Sequence, residues 1–186
     1  MLMLNAISIF AMQLLVPSMP FLQEYFDTSP YEVQLTLTVF MFGFAISQIF
    51  YGPLSDRFGR KSIILWSIVI FIFGSILAIF AKSIEVLIFS RFIQSIGAAG
   101  GMVLPPAVLR DVYGERESVK AISWISIISG VAALLAPYLG GLFHELYGWK
   151  FGMFFLICIG IVLLFVSIIF LPESRYQDKQ YNFKIK

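Results

Sequence analysis

Long apolar stretches separated by short polar gaps are the dominant pattern along this chain of 186 residues. A helix needs about 20 mostly apolar residues to cross the ~30 Å hydrocarbon core of a bilayer. Six segments meet that length: 2–22, 31–53, 62–81, 84–107, 120–143 and 150–171. The segments show no strand-like alternation, so helices are predicted, because a helix satisfies its own backbone hydrogen bonds in lipid. The short connections predict that successive helices are antiparallel neighbours.

Composition supports a multi-pass membrane protein. The chain is 59% hydrophobic and only 13% charged, whereas a soluble domain carries about a quarter charged residues. We therefore expect an all-α domain of six transmembrane helices over residues 1–174. Residues 175–186 would form a basic cytoplasmic tail or the start of a central linker. The single cysteine, Cys158, excludes a disulfide framework. No ligand cluster or phosphate-binding loop is present, so neither a metal nor another cofactor is expected.

Basic residues concentrate on one side of the predicted membrane domain. Ten of the 13 Lys and Arg follow segments 2, 4 and 6, whereas the opposite connections hold only Lys82 and Lys150. The positive-inside rule then places both termini in the cytoplasm, and the protein itself is expected in the plasma membrane, the inner membrane of a bacterium. This placement explains the net charge of +2 without a nucleic-acid partner. The remaining cation, Arg91, lies within a helix.

An internal repeat relates segments 1–3 to segments 4–6. Segments 1 and 4 each carry two prolines near their ends, and segments 2 and 5 each end in a small residue followed by proline. An aromatic-glycine turn then follows in both halves, at residues 58–61 and 147–150. Because segments 1 and 4 cross in opposite directions, the pattern predicts two three-helix units inverted about an axis in the membrane plane.

A charged turn joins segments 2 and 3, with the sequence Gly52-Pro53-Leu54-Ser55-Asp56-Arg57-Phe58-Gly59-Arg60-Lys61. We expect Gly52 and Gly59 to permit a tight exit from one helix and entry into the next. Asp56 is expected to satisfy helix-end amides and to pair with Arg57 or Arg60.

Segment 4 contains the sequence Arg91-Phe92-Ile93-Gln94-Ser95-Ile96-Gly97-Ala98-Ala99. Arg91 lies roughly 10 Å along the helix at about 1.5 Å per residue. An arginine near mid-membrane costs at least ~2.5–3.5 kcal/mol, which favours a functional role. The alternative is that its side chain extends to the outer headgroups. Gln94 lies one turn further on the same side, and Gly97 with Gly101 is expected to let a neighbouring helix approach closely.

Segment 5 contains Gly130 and, further on, Ala136-Pro137-Tyr138-Leu139-Gly140-Gly141. Ala132, Ala136 and Gly140 recur every four residues and predict a close-packing ridge. Pro137 is expected to loosen the helix locally.

These three motifs resemble signatures of the major facilitator superfamily, and the chain resembles the N-terminal six-helix half of such a transporter. It is most similar to the drug:proton antiporter group that contains the bicyclomycin-resistance proteins. The motifs correspond to G-x-L-x-D-R-x-G-R-K, to R-x-x-Q-G-x-G-A-A with Ser95 at the first glycine, and to G…G-P-x-x-G-G with Ala136 at one glycine. The resemblance implies a cytoplasmic gate formed by Gly52, Asp56, Arg57, Gly59, Arg60 and Lys61, which closes against the second half. It also implies an antiport motif on segment 5.

Segment 1 departs from the family pattern. Its stretch Gln13-Leu14-Leu15-Val16-Pro17-Ser18-Met19-Pro20 resembles D-x-Y-L-P-x-L-P, but a glutamine stands where the carboxylate is expected. The six segments contain no Asp or Glu away from their ends. The only histidine, His144, is expected at headgroup level. Proton coupling needs a group that titrates within the path, and an always-charged arginine does not, so coupling is expected only with a second half.

The function predicted from the sequence is export of small amphipathic molecules or drugs by alternating access. Arg91, Gln94 and Gln13 would form the polar centre, and Gln34 and Gln48 are further candidates for substrate contact. The expected partners are lipid, the substrate and a second six-helix half, either a separate chain or a second copy. The alternative is a truncated, non-transporting remnant or a helper subunit of a split transporter. The segments carry no Ser/His pair, H-E-x-x-H motif or aspartate pair, so an enzyme is not expected.

Overall fold

The computed structural model contains six helices that are long and apolar enough to cross a membrane. It describes residues 1–171 apart from the side chain of Glu115. They are α1 (Leu2–Tyr25), α2 (Pro30–Phe58), α3 (Arg60–Ile79), α4 (Ile84–Gly114), α5 (Arg116–Tyr147) and α6 (Trp149–Phe170). Residues 1–171 contain no strand. The all-helical, six-span fold class is therefore confirmed. The predicted basic tail, 175–186, lies outside the described residues.

The helices extend beyond the apolar segments at the end where the basic residues concentrate. Helix α2 continues to Phe58 and α4 to Gly114, because a helix keeps its hydrogen bonds after it leaves the apolar layer. Gly52 therefore lies inside α2, and a Cβ built at Gly52 would meet no atom within 4 Å. The predicted tight exit at Gly52 is wrong. The turn is made at Gly59 instead, whose amide donates to the carbonyl of Ser55 at 3.1 Å.

Single glycines in a left-handed conformation join three pairs of helices. Gly59 has φ 92°, Gly114 has φ 75° and Gly148 has φ 83°, a region that glycine adopts without steric cost. Gly59 joins α2 to α3 and Gly148 joins α5 to α6, with similar ψ values of 142° and 166°. This likeness agrees with the internal repeat expected from the aromatic-glycine turns.

Local sequence explains how α2 begins and why α1 is interrupted. Ser29 and Glu32 form a reciprocal capping box, and Pro30 occupies the first turn of α2, where its missing amide is not needed. Helix α1 consists of Leu2–Gln13, a 3-10 turn at Val16–Ser18 and Met19–Tyr25. Pro17 lies in that turn, because proline cannot donate the hydrogen bond that would continue the helix.

Helix α4 is the most enclosed of the six helices and α5 the least. Two glycines of α4, Gly97 and Gly101, contact different neighbouring helices. A Cβ at Gly97 would lie 2.5 Å from the Ser67 carbonyl oxygen of α3, and one at Gly101 would lie 2.5 Å from the Ser8 hydroxyl oxygen of α1. The prediction that this pair serves one neighbouring helix therefore needs correction, because the two glycines admit one helix each.

Candidate functional site

The Arg91 side chain is buried inside the helix bundle and does not extend to the outer headgroups. It is 1% exposed, and its Nη1 donates hydrogen bonds to the carbonyl of Ala11 at 2.8 Å and to Oε1 of Gln94. The Phe40 ring lies against the guanidinium, with 4.1 Å between Cζ and the ring centroid. The alternative of an arginine at headgroup level is therefore wrong. The Nε atom of Arg91 is buried and has no hydrogen-bond partner within residues 1–171.

The interruption of α1 leaves the carbonyl of Ala11 free to accept the hydrogen bond from Arg91. Ala11 lies in the last turn of the helical segment Leu2–Gln13, and carbonyls in a last turn have no amide partner further along their own helix. The arginine supplies that missing donor from α4. The proline-containing stretch of α1 and the cation of α4 thus complete each other's hydrogen bonding.

Gln94 extends this hydrogen-bonded group towards α3 and α6. It is fully buried, and its Nε2 donates to the Ser75 hydroxyl of α3 at 2.7 Å, while the sulfur of Met153 on α6 lies 3.9 Å away. The Ser75 hydroxyl in turn donates to the Phe71 carbonyl at 2.8 Å. The polar centre, defined here as Arg91, Gln94, Ser75 and the Ala11 carbonyl, links three helices.

The structure brings together two of the three residues predicted for this centre. The structure joins Arg91 to Gln94, but Gln13 is only half-buried and its side chain makes no hydrogen bond within residues 1–171. Gln34 is exposed and Gln48 is half-buried on α2. Neither makes a side-chain hydrogen bond to the polar centre among the described residues.

Arg91 carries its charge without a carboxylate partner in the described part of the chain. Its cation is stabilised by a carbonyl dipole, an amide oxygen and the negative face of an aromatic ring. The unpaired Nε leaves one donor unsatisfied, and an unsatisfied buried donor is costly. Such a centre can attract an acceptor atom or a negative charge towards the middle of the bundle.

A second polar group, the Arg60 cluster, lies where α2, α3 and α4 end or begin. Arg60 pairs with Asp56 at 2.6 Å and with Asp111 at 2.9 Å, and its Nη1 donates to the Ser55 hydroxyl. Of the two partners expected for Asp56, the structure shows Arg60. Arg57 is exposed and lies 5.2 Å from the centroid of the Phe58 ring.

Asp111 was not identified from the sequence, although it ties the end of α4 to the start of α3. The available signal was an acidic residue beside Arg110, in the same predicted layer as residues 52–61. Lys61 makes another such link, because its Nζ donates to the Ile168 carbonyl near the end of α6 at 2.9 Å. Three of the predicted gate residues, Asp56, Arg60 and Lys61, therefore take part in contacts that link α2, α3, α4 and α6 at this end of the bundle.

The small residues predicted on α5 fall into two groups. Ala132, Ala136 and Gly140 are buried along one side, as the spacing predicted. At Gly140 a Cβ would lie 2.9 Å from the Leu14 carbonyl carbon, so α1 and α5 are in backbone contact there. Gly130 is exposed, with no atom within 4 Å of its Cβ position. Gly141 and Pro137 are half-buried, and α5 remains helical through Pro137.

A buried asparagine was also missed. Asn5 of α1 is 2% exposed and accepts a hydrogen bond from the Ser129 hydroxyl of α5. Its Nδ2 donates to the Met102 sulfur of α4 at 3.1 Å. An asparagine within an apolar segment is itself a signal, because a polar side chain in a membrane helix needs a partner from a neighbouring helix.

Known proteins similar to this chain are transporters or drug-resistance proteins by name. A bicyclomycin resistance protein homolog of Haemophilus influenzae is 29% identical over 92% of this chain and 43% of its own length. Multidrug resistance protein D of Escherichia coli is 29% identical over 95% of this chain and 45% of its own length. An uncharacterized MFS-type transporter of Bacillus subtilis is 33% identical over 89% of this chain and 42% of its own length. The chain thus spans less than half the length of these relatives.

The sequence profile of the Major Facilitator Superfamily matches residues 1–186, which is the whole chain. Its six apolar helices and its relatives make it a multi-pass membrane protein. The resemblance inferred from the motifs on α2, α4 and α5 is confirmed. The chain belongs to the Major Facilitator Superfamily.

Proposed function

We propose that this chain is the N-terminal half of an exporter of small amphipathic molecules, and that it works by alternating access with a second six-helix half. The observation that carries the proposal is the polar centre. A buried cation without a carboxylate partner is costly in a membrane, and packing alone would be better served by an apolar side chain. The cost favours a role in which Arg91 meets a substrate or a group of the second half.

The names of the relatives favour drug-like cargo. A bicyclomycin resistance protein homolog and multidrug resistance proteins are among the proteins that this chain resembles. Transporters of this architecture bind substrate near the bilayer midplane between two sets of helices. Substrate would therefore contact the faces of α1, α2, α4 and α5 that meet the second half, with Gln13, Gln34 and Gln48 as the polar candidates.

Coupling to protons would depend on the second half. The six helices offer no Asp or Glu away from their ends, and arginine keeps its charge over the physiological range. In this proposal Gly52, Asp56, Arg57, Gly59, Arg60 and Lys61 act as the gate against the second half. Gly130, Ala136, Pro137, Gly140 and Gly141 give α5 the smooth surface on which helices move.

The proposed orientation places both termini and the Arg60 cluster in the cytoplasm of a bacterial cell. The concentration of Lys and Arg after α2, α4 and α6 supports it. In a Cys158→Ser background, a cysteine introduced at Arg57 should react with a membrane-impermeant maleimide only after the inner membrane is opened. A cysteine introduced at Lys82 should react in intact spheroplasts. The reverse pattern would disprove the orientation.

Drug susceptibility tests the function directly. The chain should be expressed in a strain that lacks its major exporters, alone and together with the second half of the Haemophilus influenzae relative. We expect the pair to raise the inhibitory concentration of amphipathic drugs and to lower their accumulation in cells. The chain alone should do neither. Equal accumulation with and without the pair would contradict the proposal.

A second candidate function is favoured by the lack of a titratable carboxylate within the membrane, since the Asp and Glu of the six helices lie only at their ends. In that case the chain is a non-transporting remnant or a helper subunit of another transporter. A stable membrane protein that never restores efflux with a second half, yet co-purifies with another transporter, would favour the helper subunit.

A further inference from the structure

A cavity of about 780 Å³ lies where the start of α1, the end of α4 and the start of α5 meet. Its volume falls in the range of roughly 300–1,000 Å³ that is usual for sites that bind small molecules. It is separate from the polar centre and shares no residue with the Arg60 cluster. None of the functions proposed above uses it.

Two cations line this cavity on one face of α5. Arg116, Lys120 and Trp124 follow each other at four-residue intervals, so their side chains share one side of the helix. Arg116 and Lys120 are exposed, and neither forms an ion pair with any described residue. The charged side chains among the described lining residues are Arg116, Lys120 and one acid, Glu117, so cations outnumber carboxylates by one.

The rest of the lining is aromatic and apolar. Tyr113 lies on α4 beside the cations, and Trp124 lies about 12 Å further along α5 from Arg116, at about 1.5 Å per residue. The apolar part of the lining consists of Met1, Leu2, Leu109 and Ala121. Tyrosine and tryptophan are enriched at the level of lipid headgroups, where one end of the ring meets water and the other meets acyl chains.

We infer that this cavity binds the headgroup of an anionic phospholipid. The phosphate lies between Arg116 and Lys120, where it receives charge-assisted hydrogen bonds. The glycerol and the first acyl carbons lie against Trp124 and Leu109. The excess of cationic side chains in the lining favours a lipid with a net negative charge, and basic pockets between membrane helices are favourable places for such headgroups.

The test is lipid binding to the purified full chain in detergent, measured by native mass spectrometry and by the melting midpoint. Phosphatidylglycerol should bind more tightly than phosphatidylethanolamine or phosphatidylcholine. The double variant Arg116→Gln/Lys120→Gln should weaken that binding about 25-fold, since each cation near a lipid surface is worth about fivefold. Glu117→Gln should strengthen it, because the repulsion between the carboxylate and the phosphate is removed.

The matched control is Lys82→Gln/Lys150→Gln, which removes the same charge at the opposite end of the bundle and should leave lipid binding unchanged. Equal losses in the two double variants would overturn the site, because a general charge effect would then explain them. Tight binding of soluble glycerol 3-phosphate would assign the cavity to a free phosphate and overturn the lipid proposal. Preference for phosphatidylethanolamine, with weaker binding after Glu117→Gln, would also contradict it.

Discussion

Replacement of Arg91 by alanine is expected to abolish export while leaving the protein in the membrane. The variant removes the cation of the polar centre and its bonds to Gln94 and the Ala11 carbonyl. Insertion should not suffer, because a charge that costs at least ~2.5–3.5 kcal/mol in mid-membrane has been taken out of α4. Drug accumulation should therefore rise to the level of cells without the transporter, measured with the second half supplied.

Arg91→Lys is the informative companion to this variant. Lysine keeps the charge but lacks the planar fork with which the arginine reaches two acceptors and stacks on Phe40. We expect export to be strongly reduced but still measurable. Membrane-inserted amounts of both variants should equal the wild type by quantitative blotting. Wild-type export by the alanine variant would show that the polar centre is not part of the transport path.

Replacement of Gly140 by alanine should have the largest effect on stability. The new Cβ would lie 2.9 Å from the carbonyl carbon of Leu14 and closer still to its oxygen. These are backbone atoms at the break in α1, so α1 and α5 must move apart to accommodate it. Overpacking of this kind costs about 1–3 kcal/mol or more, and the melting midpoint of the purified chain should fall clearly.

Gly130→Ala is the matched control for this prediction. Gly130 lies on the same helix and belongs to the same predicted motif, but no atom lies within 4 Å of its Cβ position. Alanine is also the better helix former by roughly 1 kcal/mol. The control should melt at or above the wild-type temperature. If Gly140→Ala and Gly130→Ala melt alike, the close contact between α1 and α5 is not present in solution.

The six-helix fold was predictable because the apolar segments are long and the charged gaps between them short. The ends of the helices were not predictable, because hydropathy marks only the residues in the apolar layer and the helices continue beyond that layer. This is why Gly52 was placed at a turn when it lies six residues before the end of α2, at Phe58. Gly59 was placed correctly, since an aromatic-glycine pair followed by charges marks a helix boundary.

The polar centre was predictable only in part. Arg91 and Gln94 stand out because they are polar residues in an apolar segment, and their spacing of three places them on one side of a helix. Nothing in the sequence selects Phe40 from 20 phenylalanines as the ring against the guanidinium. Nor could the pairing of Arg60 with Asp111, 51 positions away, be inferred from local pattern, because it depends on how α3 and α4 pack.

The single-residue joints at Gly59 and Gly114 also limit how this bundle can deform. A connection of one left-handed glycine cannot lengthen. At the end where these joints lie, α2 therefore cannot slide along α3, and α4 cannot slide along α5. The Arg60–Asp111 pair and the Lys61 bond to Ile168 fasten the same end further. We therefore expect the helices to move relative to one another mainly at the opposite end of the bundle, and this end to move as one unit.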